Sequence, residues 1–140
     1  MKHISTYRFY LLTLCFFIGT VLSFSQNPNM QWSAESELMN ANGVDVTLIS
    51  NFSKQDTVIS WQQVTSSTSN TSTFNIISLN GTWDDQNATG EINYSIISEE
   101  THGNLKLMGN TDGITATLTL FEDGEVTDTY IFQLNSLTQS

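Results

Sequence analysis

The most constraining feature of this sequence is a two-residue alternation of apolar and polar side chains, clearest near the C-terminal end. Residues 114–121 read Ile-Thr-Ala-Thr-Leu-Thr-Leu-Phe, so threonines separate apolar side chains at every second position. Successive side chains of a strand point to opposite faces, and the pattern therefore predicts a β-strand with one buried face. Thr is β-branched and suits a pleated surface without needing burial.

The same alternation recurs along most of the chain. The predicted strands carry Trp32, Ala34 and Leu38 (a weaker opening strand), Val44, Val46 and Leu48, Ile59 and Trp61, Phe74 and Ile76, Ile92, Tyr94 and Ile96, Leu105 and Leu107, Ile114 to Leu120, and Tyr130, Phe132 and Leu134. Segments in which Gly follows Asn or Asp separate several of them, at 40–43, 110–113 and 122–125, which is typical of hairpin turns. We predict an all-β fold, an antiparallel meander of seven or eight strands forming a β-sandwich or a small β-barrel.

The first 25 residues have the pattern of a signal peptide. Lys2 and Arg8 form a basic n-region, and an apolar run of about 14 residues follows, which is shorter than the ~20 needed to span a bilayer. Small residues at Ser23 and Ser25 predict cleavage before Gln26. The alternative is an uncleaved N-terminal anchor. We expect an exported product, secreted or periplasmic.

The only cysteine, Cys15, lies within this apolar run. Bulky Leu14 precedes it and apolar sequence continues after it, so a lipidation site is not indicated at this position. The exported product then contains no cysteine. Because small exported domains of animals usually carry disulfides, this composition favours a bacterial periplasm or cell exterior.

Residues 26–140 are expected to form a single all-β domain. Its polar start, 26–31, is predicted as a loose lead. The low-complexity stretch 65–73, Thr-Ser-Ser-Thr-Ser-Asn-Thr-Ser-Thr, is predicted as a flexible loop between strands. The alternative reading makes it a linker between two units, but neither unit would bury a core easily by itself.

The charge of the product limits its partners. The whole chain has a formal charge of −10, and residues 26–140 contain two lysines against fourteen acids, which gives −12. Nucleic-acid recognition relies on clustered Lys and Arg, so no nucleic-acid partner is expected. The second face of the predicted strands carries Thr, Asn and Ser, so we expect that the mature domain is not embedded in a membrane.

Catalysis and metal binding have few candidate residues. His102 is the only histidine after the predicted cleavage site, which leaves a Ser nucleophile almost without a base, and no Gly-x-Ser-x-Gly elbow occurs. Hydrolysis would instead need a pair of catalytic carboxylates, which Asp84, Asp85, Glu99 and Glu100 could supply. The acidic turns could bind calcium, although no EF-hand loop occurs. We predict no enzyme activity, no cofactor and no specific metal site.

Binding is the function that the sequence favours. Trp61 with Gln63, and Trp83 with Asp84 and Asp85, combine aromatic and hydrogen-bonding side chains as sugar-binding sites do. The alternative is that each tryptophan belongs to the core. The leading prediction is a non-enzymatic domain that binds an extracellular glycan or protein. The second is a structural or assembly component of a cell surface that acts by edge-strand pairing. The sequence leaves the ligand and the oligomeric state open.

Overall fold

A computed structural model describes residues 30–99 and 101–140, and these contain strands and turns but no helix. The predicted signal peptide and residues 26–29 of the predicted lead lie outside the described residues. The strands are β1 (Trp32–Ala41), β2 (Val44–Gln55), β3 (Val58–Val64), β4 (Ser69–Asp84), β5 (Thr89–Ser98), β6 (Thr101–Asn110), β7 (Gly113–Glu122), β8 (Glu125–Leu134) and β9 (Ser136–Gln139).

The strand pairings close into an antiparallel eight-stranded barrel with one extra strand. Each strand from β1 to β7 pairs with the next in sequence, and β8 returns to pair with β1. Residues 38–41 of β1 pair with β8, and residues 32–35 of the same strand pair with β9. The all-β antiparallel prediction is confirmed, and the eight predicted strands correspond to β1 to β8.

The meander gives the barrel two ends. The turns at 42–43, 65–68 and 123–124 and the connection from β5 to β6 follow odd-numbered strands and lie at what we call the upper end. The turns at 56–57, 85–88 and 111–112 lie at the lower end. Because successive side chains of a strand point to opposite faces, every second side chain points into the barrel. The buried apolar residues form one core cluster: Trp32, Ala34, Met39, Phe52, Ile59, Trp61, Phe74, Trp83, Ile92, Tyr94, Ile96, Leu105, Leu107, Ala116, Leu118, Phe132 and Leu134.

Aromatic side chains fill much of this core. Trp61 stacks on Phe52 with ring centroids 5.9 Å apart, and both rings meet Phe132 edge-on at 5.3 and 4.8 Å. Trp32 Nε1 donates a hydrogen bond of 3.0 Å to the Tyr94 hydroxyl, which satisfies two polar groups inside the barrel. Burial raises the pKa of Tyr94, and the bond from Trp32 opposes that change.

Two details of the sequence prediction need correction. Residues 69–73 are not part of a flexible loop, because β4 begins at Ser69 and pairs with β3 from there; the loop is 65–68. Hydroxyl-rich composition indicated a loop, yet Thr has a high strand propensity, and an inward Ser72 fits opposite Trp61. The second correction concerns Leu38, which was grouped with Trp32 and Ala34. A bulge between Ser36 and Leu38 shifts the register, so Leu38 faces outward.

The start of the described chain is attached to the barrel. Met30 packs against the core cluster, and the Gln31 carbonyl accepts a hydrogen bond of 3.2 Å from the Ser140 amide. These two residues therefore have contacts with the barrel, although the sequence placed them in the loose lead.

Candidate functional site

The two predicted tryptophan sites lie far apart inside the barrel. Trp61 is 4% exposed on β3 and Trp83 is 1% exposed at the end of β4. Ser72, the ladder partner of Trp61, precedes Trp83 by eleven residues of β4, and a strand rises about 3.3 Å per residue. Both indoles belong to the core cluster, in agreement with the alternative considered for them.

The polar members of these predicted sites have structural contacts. Asp84 organises the β4–β5 turn, because its carboxylate accepts hydrogen bonds from the Gln86 and Asn87 amides at 2.9 and 3.2 Å. Asp85 accepts a bond of 2.8 Å from Gln139 Nε2, which ties this turn to β9. Gln63 is half-buried near the upper end of β3. A ligand-binding role for Trp61, Gln63, Trp83, Asp84 and Asp85 stays a prediction.

Two buried polar atoms in the upper half of the barrel lack a hydrogen-bond partner among the described residues. They are Ser50 Oγ and Trp61 Nε1. Ser50 lies across the sheet from Gln63, whose strand also carries Trp61 two positions earlier, so the two groups occupy neighbouring inward positions. An unpartnered buried hydroxyl costs free energy, whereas the equally buried Ser36 donates to the Leu38 carbonyl at 2.8 Å.

We expect Ser50→Ala and Ser36→Ala to change the free energy of unfolding in opposite directions. Ser50→Ala removes an unpartnered hydroxyl and should stabilise the barrel by about 1 kcal/mol. Ser36→Ala removes the bond that supports the register shift between β1 and β2 and should destabilise the barrel by about 1 kcal/mol. Urea unfolding followed by circular dichroism measures both. Equal destabilisation by the two variants would show that the Ser50 hydroxyl is satisfied.

A different part of the barrel has the geometry of a binding site: the upper end of the β1–β2 hairpin. β3 ends at Val64, which pairs with Ile49, while β2 continues upward to Val44. Residues 44–48 therefore have β1 on one side, and the described structure gives them no strand partner on the other. Such a free edge presents backbone donors and acceptors to another chain.

Exposed apolar side chains concentrate at this hairpin end. Of the eight large apolar side chains exposed in the described part of the chain, five lie here, with 37–65% of their surface accessible. We call these five residues the hairpin corner: Leu38, Val44, Val46, Ile49 and Ile131. Val44 and Val46 follow the inward face of β2, and the other three follow the outward face.

Asparagine side chains fix the shape of the hairpin. The turn residues Asn42 and Gly43 have φ of 50° and 88°, as a two-residue Asn-Gly hairpin requires. Asn40 Oδ1 accepts a bond from the Gly43 amide, and its Nδ2 donates to Asp45 at 2.7 Å. Asn42 exchanges bonds with Thr129 and donates to Asp128 at 3.0 Å, so β8 holds the turn in place. These bonds therefore order the hairpin that carries the free edge of β2.

The surroundings of the hairpin corner are acidic, and no basic residue of the described chain lies beside it. Asp45 and Asp128 lie at the turn, while Lys54 and Lys106 are the only Lys or Arg in residues 30–140. Lys54 is buried near the lower end, where burial lowers its pKa and nearby Asp56 opposes that change. Lys106 pairs with Glu91 at 3.0 Å on β5. Neither cation is placed to neutralise the corner.

Other features of the described residues give weaker candidates. A shallow groove of about 190 Å³ runs over the outer surface of β1, between Asn51 of β2 and Thr138 of β9. No cluster of three or more His, Cys, Asp or Glu side chains within 30–99 and 101–140 could hold a metal ion. The same residues include no helix that is long and apolar enough to cross a membrane.

The protein is thus a small antiparallel β-barrel in which one edge of the β1–β2 hairpin is exposed. Comparison of the chain with protein families, with curated proteins and with solved structures gave no match.

Sequence reasoning did not single out the hairpin corner. Val44 and Val46 alternate cleanly with polar residues, which predicted a buried face. Their exposure follows from the lengths of neighbouring strands, since β2 has 12 residues and β3 has only 7. The Asn-Gly turn was the one available signal, because it marked where the hairpin end would project.

Proposed function

We propose that the exported product is a non-enzymatic binding module that recognises a protein partner at the hairpin corner. The observation that carries this proposal is the concentration of exposed apolar side chains there. Exposed apolar surface that concentrates in one region of a protein marks interaction sites, because its burial against a partner is favourable. Because the hairpin is already ordered, binding of a partner would cost less conformational entropy.

Protein recognition is better supported than glycan recognition. Sugar-binding sites stack the ligand on exposed aromatic rings, and all three tryptophans of the described chain are buried. The residues left exposed at the corner are aliphatic, and aliphatic surface suits the apolar side chains of a protein. The edge-strand pairing predicted for an assembly component would use the same corner. The tests below distinguish it from recognition of another protein.

The proposal is tested with a randomised peptide library displayed on phage and selected against the purified protein. The corner variant Val44→Gln with Ile49→Gln is compared with Ile77→Gln with Met108→Gln, which makes the same chemical change at two exposed apolar residues outside the corner. We expect the selected peptides to bind the corner variant at least about tenfold more weakly, a change of roughly 1.4 kcal/mol, and the control variant unchanged.

Selected peptides that bind both variants equally well would contradict the proposal. So would a library that yields no binders while a glycan array gives a signal. Circular dichroism of each variant confirms that the barrel is intact before the binding comparison is made.

A further inference from the structure

We infer that the partner supplies an extended segment of alternating apolar and basic residues, which adds to the free edge of β2 as a further strand. This inference rests on the proposed function, because it concerns the occupant of the same hairpin corner. It is carried by three features of the corner: the direction of its backbone groups, the alternation of its side chains and its charge.

The backbone of β2 has two residues directed toward the free edge. In a two-residue hairpin the flanking residues, Ala41 and Val44, form a hydrogen-bonded pair, and such pairs alternate along an antiparallel ladder. Val46, opposite Met39, is therefore the next residue bonded to β1. Asp45 and Thr47 direct their N–H and C=O groups away from β1, toward the side on which β3 has already ended. These backbone groups can pair with an added strand.

The side chains along this edge specify an alternating partner. Val44 and Val46 point to one face and Asp45 and Thr47 to the other, as strand geometry requires. An added strand would place alternate side chains beside each set. Apolar residues fit beside the two valines, and Lys or Arg fits beside the exposed carboxylate of Asp45, which accepts a hydrogen bond from the neutral Asn40 amide.

Charge decides between a foreign segment and a second copy of this chain. A second copy would bring its own formal charge of −12 for residues 26–140, and its own Asp45, to the same edge. Like charges brought together at an interface oppose association, and opposite charges speed and favour it. The edge therefore suits a basic segment of another protein.

The test uses two acetylated, amidated nonapeptides in which five valines alternate with four lysines or with four glutamates. We expect the lysine peptide to bind the purified protein at least about tenfold more tightly than the glutamate peptide at low salt, with the difference shrinking as salt screens the charges. Asp45→Asn should weaken binding of the lysine peptide several-fold, because it removes the carboxylate and keeps an oxygen for Asn40.

Thr47→Pro tests strand addition directly. Proline removes the N–H group that faces the free edge, while Val44 and Val46 keep their bonds to β1. We expect lysine-peptide binding to fall by at least about tenfold in Thr47→Pro. Thr47→Val keeps the N–H and should bind as the unmodified protein does. Circular dichroism of both variants verifies the fold.

The outcomes separate this inference from the proposed function. Corner-dependent binding that survives in a folded Thr47→Pro variant would overturn strand addition and leave a protein-binding corner. Equal binding of the two peptides would overturn the basic partner. A concentration-dependent dimer that Thr47→Pro abolishes would identify a second copy as the occupant and would also overturn the inference. If no peptide binding depends on Val44 and Ile49, the proposed function itself fails.

Discussion

Gly109→Ala is expected to destabilise the barrel by roughly 3 kcal/mol, the upper part of the range for overpacking a core. Gly109 lies on β6 near the lower end, opposite Gly90 of β5. A Cβ atom added there would lie 2.1 Å from the Ala88 carbonyl oxygen and 2.6 Å from the indole of Trp83. The carbonyl belongs to the β4–β5 turn and the indole is 1% exposed, so neither can move without disturbing the lower end.

Gly103 provides a matched control on the same strand. It is also buried, but a Cβ atom there would meet the Leu120 side chain and the Thr119 carbonyl at 3.0 Å, so a small shift suffices. We expect Gly103→Ala to cost about 1 kcal/mol. Urea unfolding of both variants, followed by far-UV circular dichroism, measures the difference in the free energy of unfolding.

A double variant identifies which contact is responsible. Trp83→Phe shortens the ring that Gly109→Ala would strike, so the two substitutions together should cost less than the sum of their separate effects. Strict additivity would show that the Ala88 carbonyl alone causes the clash. A Gly109→Ala variant no less stable than Gly103→Ala would show that the lower end is loosely packed.

The strands of this barrel could be predicted because burial on one face imposes alternation on the sequence. The apolar residues Ile114, Ala116, Leu118 and Leu120 face the core, and the same rule located β5, β6 and β8. β9 was missed because its four residues, Ser-Leu-Thr-Gln, contain one apolar side chain, too few to show a period. Its pairing with β1 depends on where β8 ends, which the sequence does not encode locally.

The hairpin corner could not be predicted because exposure there depends on neighbours in space. The register shift between Ser36 and Leu38 turns Leu38 outward and brings Met39 inward, and no residue type in this segment predicts it. Val44 has the pattern of a core residue and is 65% exposed, because β3 stops short of it. Alternation indicates which side chains share a face, whereas coverage of that face depends on the lengths of other strands.

The tryptophans also show that the neighbours of a residue in sequence do not determine its exposure. Trp61 and Trp83 have polar neighbours in sequence, which made a surface site plausible, but sequence neighbours in a strand point to the opposite face. Gln62 is exposed beside the buried Trp61 for this reason. A test of sugar binding by removing either indole would therefore also test the stability of the barrel.

Trp61→Ala is expected to cost about 3–5 kcal/mol, the range for truncating a large buried aromatic side chain. The indole contacts Phe52, Tyr130 and Phe132 with ring centroids 5.3–5.9 Å apart, so it joins β2 and β3 to β8 across the barrel. Its loss would leave a cavity among three aromatic rings. The free energy of unfolding in urea and the near-ultraviolet circular dichroism of the aromatic residues measure the effect.

Trp61→Phe is the control that separates packing from recognition. It keeps an aromatic ring beside Phe52 and removes Nε1, which has no hydrogen-bond partner among the described residues, so its cost should be well below that of Trp61→Ala. Because the hairpin corner does not include Trp61, a folded Trp61→Phe variant should bind the lysine peptide as the unmodified protein does. A Trp61→Ala variant that stays fully stable while losing a sugar ligand would instead place the binding function at the indole.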